Sequence, residues 1–185
     1  MSGLRACWLQ SVLGMRRRAA RCRLPSNPQP LLPKPSVLTF NPQDFNAEVL
    51  EAVTCPNVDT NLRAHLTTAP APSHRYFSGD FASVGEHLAS EEGLLFDAVL
   101  TSESIYNPKS AAQLLAATKA CMRRGGTLWV AAKSHYFGVG GGLAAFKAQV
   151  AADGVFGVDV AWSFDDGASN MREVLALTFT KDSNV

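Results

Sequence analysis

The first 43 residues of this 185-residue chain contain no aspartate or glutamate. Nowhere does an apolar run approach the ~18 residues that a membrane helix requires, so no membrane partner is expected. The four cysteines (Cys7, Cys22, Cys55 and Cys121) form no Cys-x-x-Cys pair and no Cys/His pattern, which leaves no expected metal site. Cys55 and Cys121 sit among apolar neighbours and read as reduced packing residues. No G-x-G-x-x-G fingerprint occurs either, so the glycines present are not those of a dinucleotide loop.

What is present is divided by charge. Residues 1–43 carry seven Lys/Arg, and residues 44–185 carry ten Lys/Arg against sixteen Asp/Glu, a net of −6 for the latter. An acidic globular part is a poor reader of nucleic-acid phosphates, so no direct nucleic-acid binding is expected. Arg16-Arg-Arg18, Arg21 and Arg23 resemble an organelle transit segment, while a disordered basic tail or a misassigned start are the plainer readings. Pro25 to Pro35 reads as an extended linker, because closely spaced prolines forbid helix and ladder alike. The expected division is therefore a basic, proline-rich segment over 1–36 and a globular domain over 37–181.

Within the domain the apolar period alternates. Val37–Phe40 reads as a strand and Asn46–Val53 as a helix stopped by Pro56, followed by a surface loop over 57–74. Tyr76–Ser78 is a brief strand, and Gly79-Asp80 a turn. Phe96–Leu100 is apolar apart from Asp97, as a buried parallel strand should be. Asn107 caps a helix with Pro108 at its first position, burying Ala111, Leu114, Leu115, Thr118, Cys121 and Met122. Arg123-Arg124 suit the negative end of its dipole, and Gly125-Gly126 end it. A strand over 127–132 and a helix over 143–152 follow. Val158–Phe164 and Glu173–Thr180 then read as an antiparallel pair, giving an α/β sandwich with a mixed sheet.

Two strings carry the chemistry: Phe96-Asp-Ala-Val-Leu-Thr-Ser-Glu-Ser-Ile-Tyr-Asn-Pro108 and Lys133-Ser-His-Tyr-Phe-Gly-Val-Gly-Gly-Gly142. The polar part of each follows a predicted strand, Phe96–Leu100 or the one over 127–132, where open α/β sheets place their reactive groups. With Gln43-Asp-Phe-Asn46, Pro56-Asn57-Val58 and Tyr76-Phe-Ser-Gly-Asp-Phe81, they are similar to the protein-histidine methyltransferases of class I, over roughly residues 37–181. The resemblance implies a Rossmann-like seven-stranded fold and S-adenosyl-L-methionine as cofactor. It also implies methyl transfer to a histidine imidazole of a protein of the ribosomal class, in the cytoplasm or nucleus, or in an organelle if the basic start is a transit segment.

Carried onto this sequence, the resemblance assigns Asp44 to the ribose hydroxyls of the cofactor, Gly79, Asp80 and Phe81 to its adenine, and Asn46, Thr101 and Ser102 to further cofactor contacts. Glu103, Tyr106, His135 and Tyr136 are the catalytic candidates. Each has a plainer reading: Asp44 and Asn46 as helix caps, Gly79-Asp80 as a turn, Thr101–Glu103 as a capping cluster and His135 as a structural histidine. Gly138, Gly140, Gly141 and Gly142 are expected to let the backbone approach a target loop closely. His65, His74 and His87 receive no role.

The family pattern also includes a first strand and an acidic, glycine-rich loop. Nothing before Val37 matches that loop, so the fold is expected to be incomplete, with its first strand missing. A catalytically inactive or truncated protein acting as a docking module is accordingly the alternative function.

Overall fold

The computed structural model of the protein describes residues 4–10, 38–65, 73–90, 95–165, 167 and 170–181. Eight strands form one mixed sheet. In chain order they are β1 (Leu4–Gln10), β2 (Leu38–Asp44), β3 (Ser73–His74), β4 (Phe77–Ser78), β5 (Phe96–Ser102), β6 (Met122–Lys133), β7 (Phe156–Phe164) and β8 (Arg172–Phe179). Across the sheet the order is β3-β2-β1-β5-β6-β8-β7, with β4 also on β2. Strands β1 to β6 are parallel, and β8 and β7 are the antiparallel pair that the sequence predicts.

The place expected to be vacant is filled. Leu4–Gln10 lies between β2 and β5, with Leu4 beside Leu38 and Ala6 beside Ala98. The first strand is therefore not missing, and the sheet extends beyond the expected 37–181 unit. The reading missed it because seven residues beside a basic run carry a weak local signal, whereas two flanking strands supply its hydrogen bonds. The transit-like arginines and the proline linker lie outside the described residues.

Three helices cover one face of the sheet: α3 (Phe81–Ser90), α4 (Pro108–Cys121) and α5 (Leu143–Asp153). Val84, Leu88, Leu114, Leu115, Phe146 and Val150 from these helices pack on Val99, Leu128, Val130, Leu175 and Leu177 of the strands. The anticipated cap of α4 is present, with Ser110 N donating to Asn107 Oδ1 at 2.8 Å and Pro108 opening the helix. Its predicted apolar face is buried throughout. Cys121 is part of that face, and burial pushes its thiol up to about 12. Cys55 is half-buried and free.

Three boundaries differ from expectation. Pro56 does not stop the helix expected over Asn46–Val53: α1 (Ala47–Val49) passes through a π-helical turn, Leu50–Thr54, into α2 (Cys55–His65). The wider turn immediately before Pro56 accommodates a residue that can make no i→i−4 bond. Much of the expected 57–74 loop is thus helical.

At the other end of the domain, Gly125-Gly126 do not terminate α4. The helix ends at Cys121 and β6 begins at Met122, where a register shift against β5 absorbs the glycines. Arg123 accordingly pairs with Asp97 at 3.1 Å instead of serving a helix end. Helix α3 has no counterpart in the sequence reading. Among the described residues no helix is long and apolar enough to cross a membrane.

Candidate functional site

The carboxyl ends of β2, β4, β5 and β6 bring the predicted residues to one sheet edge, in two groups. The first surrounds a cleft of about 140 Å³. Gln43 and Phe45 line it from the end of β2, Gly79, Asp80 and Phe81 from the turn into α3, and Tyr106, Ser110 and Gln113 from the β5–α4 side. Pockets that enclose a drug-sized ligand run to ~300–1,000 Å³, so this space suits one ring system rather than a whole nucleotide-sized molecule. Phe45 and Tyr106 are among the exposed large side chains, giving the cleft aromatic walls open to solvent.

Local chemistry fixes this wall. Gln43 Nε2 donates to Gly79 O at 2.6 Å, and Gly79 N donates to Asp44 O at 3.0 Å, which locks the β4–α3 turn to the end of β2. Asp44 is buried, and its Oδ1 accepts from Asn46 N at 2.9 Å. Asn46 itself is exposed and is the N-cap of α1 by position, with no side-chain capping bond. Asp80 is an N-cap: Ser83 N donates to its Oδ1 at 2.8 Å. That bond, with help from the Ser83 hydroxyl, the Ala82 amide and Lys109, holds its carboxyl below the usual 3.8.

The second group bridges β5 and β6. Glu103 follows β5 with φ of 56°, the one positive φ outside glycine among the described residues, and its N–H donates to Ala131 O at 2.9 Å. A non-glycine residue in the left-handed region is uncommon and costs energy that the surroundings must repay. The carboxylate lies 3.0 Å from Lys133 Nζ, and that ammonium sits 5.6 Å from the Tyr136 ring centroid. Lys133 N donates to Tyr136 Oη at 3.2 Å. Burial, together with the neighbouring Glu103 carboxylate, raises the Tyr136 phenol to about 12.

Thr101, Ser102 and His135 are in neither group. Thr101 is buried with its hydroxyl donating to Ser104 Oγ at 2.7 Å, inside the chain rather than at a surface. Ser102 is half-buried at the end of β5. His135 is exposed, with Nδ1 3.1 Å from Ser134 Oγ and its ring edge-on to Phe137 at 4.9 Å. Tyr106 stands with the cleft residues, not beside Tyr136.

The glycine loop works inward as well as outward. A Cβ on Gly141 would lie 2.2 Å from Tyr106 O, and one on Gly142 would lie 2.6 Å from Ser134 O. These two glycines bring the loop against the chain's own 105–106 and 134–135 segments, whereas Gly138 and Gly140 face open space with φ of 78° and 74°. The sequence reading missed Gln43, Phe45, Ser110 and Gln113. Gln43 stands within the Gln-Asp-Phe-Asn string already quoted, but a buried amide that braces a turn has no signature of its own.

No family model matches the chain. It is 34% identical over 143 residues to histidine protein methyltransferase 1 homolog of Dictyostelium discoideum, covering 77% of this chain and 43% of that protein. The rat protein of the same name is 33% identical over 155 residues, with 74% and 42% covered. The chain thus spans about two-fifths of the length of the curated relatives it matches.

In structure it resembles a CurJ carbon methyltransferase, with TM-score 0.60 and 11% identity over 96% of this chain and 49% of that one. The fibrillarin pre-rRNA processing protein of Methanococcus jannaschii gives 0.56 and 10%, over 97% and 68%. An arsenic(III) S-adenosylmethionine methyltransferase from Chlamydomonas reinhardtii gives 0.55 and 14%, over 80% and 57%. The fold is that of the class I methyltransferases.

Proposed function

For a chain related by sequence to the histidine protein methyltransferases and folded as a class I methyltransferase, we propose S-adenosyl-L-methionine-dependent methyl transfer to an imidazole nitrogen of a protein histidine. The observation that carries this reading is the meeting of Glu103 and Lys133 at 3.0 Å, beside a ring-sized cleft at the same sheet edge. A ribosomal protein is the proposed target class, and the cytoplasm or nucleus the proposed place of action.

The described residues fit the adenosine half of the cofactor. Phe45, Phe81 and Tyr106 offer aromatic surface for a purine, and Asp44 ends β2 where a carboxylate can hold a diol. When bound, the cofactor supplies a methyl group already activated by its sulfonium. Alignment is therefore the protein's main task. An imidazole with pKa near ~6.5 is largely neutral at physiological pH, so no strong base has to unmask its lone pair. Glu103 can accept the N–H of the far ring nitrogen, which selects the attacking one and receives the proton shed as the ring becomes cationic. Lys133 holds that carboxylate in place. Tyr136, protonated up to about pH 12, contributes a surface and a neutral hydroxyl but no base.

One observation favours a second reading, a non-catalytic docking protein. The connection from β1 to β2, residues 11–37, contains a single glycine, Gly14, and no acid. The two readings part on one experiment. The full chain is incubated with methyl-labelled cofactor and candidate ribosomal proteins, and the products are mapped by mass spectrometry. A gain of one methyl on histidine supports the enzyme, and its absence on every candidate, with no cofactor binding, supports the docking protein.

A further inference from the structure

Phe137 is the most exposed large apolar side chain among the described residues, at 82%, and Val139 two positions on is 47% exposed. Single apolar residues at a surface need no explanation, but these two share one short turn beside the reactive edge. The base of that turn is tied down. Tyr136 N donates to Gly141 O at 3.3 Å, Leu143 N to Ser134 O at 3.1 Å and Asn170 Nδ2 to His135 O at 3.2 Å. Residues 137–140 form a four-residue tip on this base. Gly138 and Gly140 turn its backbone with φ of 78° and 74°, so its side chains are those of Phe137 and Val139 alone. The His135 ring, edge-on at 4.9 Å, braces Phe137.

The base touches both groups of the site. Tyr136, one residue before the tip, accepts from Lys133 N and sets its ring 5.6 Å from Lys133 Nζ, the partner of Glu103. Gly141, one residue after it, abuts the backbone of Tyr106, a wall of the cleft. A tip two residues out and two back reaches at most ~7 Å from its base, so it stays beside that edge. A polypeptide presenting an imidazole to Glu103 therefore passes next to it. Between Lys133 and Lys147 the chain carries no Lys, Arg, Asp or Glu. The tip thus offers no charge to a basic or acidic segment and no cation to lipid headgroups. An apolar side chain of the substrate is the occupant that fits.

Resting on the proposed reaction, we propose that Phe137 and Val139 take an apolar side chain of the protein substrate lying within about three residues of the target histidine, a reach of ~10 Å in an extended chain. The tip selects histidines by their apolar neighbour, while Glu103 acts on the ring.

The test uses the full chain and labelled peptides, each with one histidine in a serine/glycine background and a single leucine at varied offsets on either side. Binding is read by fluorescence anisotropy, and methyl transfer by label incorporation. A leucine within about three residues should tighten wild-type binding about tenfold over the leucine-free peptide, the scale of one buried apolar side chain. Phe137→Ser and Val139→Ser should lose most of that gain and Phe137→Leu should keep it. None should move the thermal midpoint, because the altered side chains are exposed. Equal binding of all peptides by the wild type, or a leucine preference that both serine variants retain, overturns the proposal. So does binding to phosphatidylcholine vesicles that the serine variants lose while the peptides show no preference. Patterned binding without methyl incorporation leaves the tip standing and removes the reaction. Methyl incorporation indifferent to the leucine and to both serine variants does the reverse.

Discussion

Glu103 and Lys133 meet at 3.0 Å although each ends a different strand, and Glu103 adopts a left-handed backbone to do so. The left-handed conformation costs a non-glycine residue ~1–2 kcal/mol. The ion pair, with side chains 30% and 36% exposed, repays only about 0–1 kcal/mol. Glu103→Gly is expected to leave the unfolding free energy from urea titration within about 1 kcal/mol of wild type, because lost pairing and relieved strain offset each other. The same variant should lower methyl transfer by at least about tenfold. A glycine variant with full activity would remove Glu103 from the mechanism.

Gly141→Ala tests the loop. Its Cβ would meet backbone atoms of Tyr106 and Ile105, which cannot swing aside as a side chain could. A loss of ~1–3 kcal/mol is expected by denaturant titration, with weakened cofactor binding as Tyr106 shifts. Gly138→Ala is the comparison, since nothing lies within 4 Å of its Cβ. It should cost only ~1 kcal/mol, from its positive φ.

Tyr136 gives a pH signature. Its phenol rises from 10.0 to about 12, chiefly through burial, so the folded protein favours the protonated form. The associated stability is fully present below pH 10 and is lost as pH rises through about 12. Ultraviolet titration of the three tyrosines should show Tyr136 and Tyr76 ionising late, since Tyr76 is also raised to about 12. Tyr136→Phe should remove one late component, and wild-type activity should show no limb from Tyr136 below pH 10. An early-ionising Tyr136 would contradict the packing described.

Asp80 joins two possible roles, and paired substitutions separate them. Asparagine caps helices about as well as aspartate, whereas alanine cannot. Asp80→Asn should keep thermal stability at neutral pH, and Asp80→Ala should lower it. Because the carboxyl is depressed in the fold, its contribution is present above pH 3.8 and fades as pH falls through the lower folded value. If Asp80→Asn binds cofactor as wild type does, the carboxylate's charge has no part in holding adenine.

The sequence made some elements plain for local reasons. Asn107 and Pro108 announce the start of α4 because capping geometry depends on adjacent residues, and the β7–β8 pair follows from alternation. Helix α3 was hidden because Gly79-Asp80 reads as a turn and Gly85 weakens a helical pattern. That glycine reflects tertiary packing, since a Cβ there would lie 2.7 Å from Ala117 Cβ on α4. Strand β1 was hidden for a similar reason, its pairing being supplied by two distant segments. At the site, the Glu103–Lys133 edge was legible because both strings follow strongly apolar strands. The separation of His135 from Tyr136, and the move of Tyr106 to the cleft, depend on how the glycine loop folds back on residues 105–106.

Titration calorimetry of the full chain with S-adenosylhomocysteine tests the central claim most directly, with Asp44→Ala and Phe81→Ala beside the wild type. The account predicts saturable binding by the wild type at about one site per chain, and weakening of at least about tenfold in each variant, as loss of a charge-assisted bond or an aromatic contact requires. No heat and no thermal shift at millimolar ligand, or equal binding by all three proteins, would contradict it.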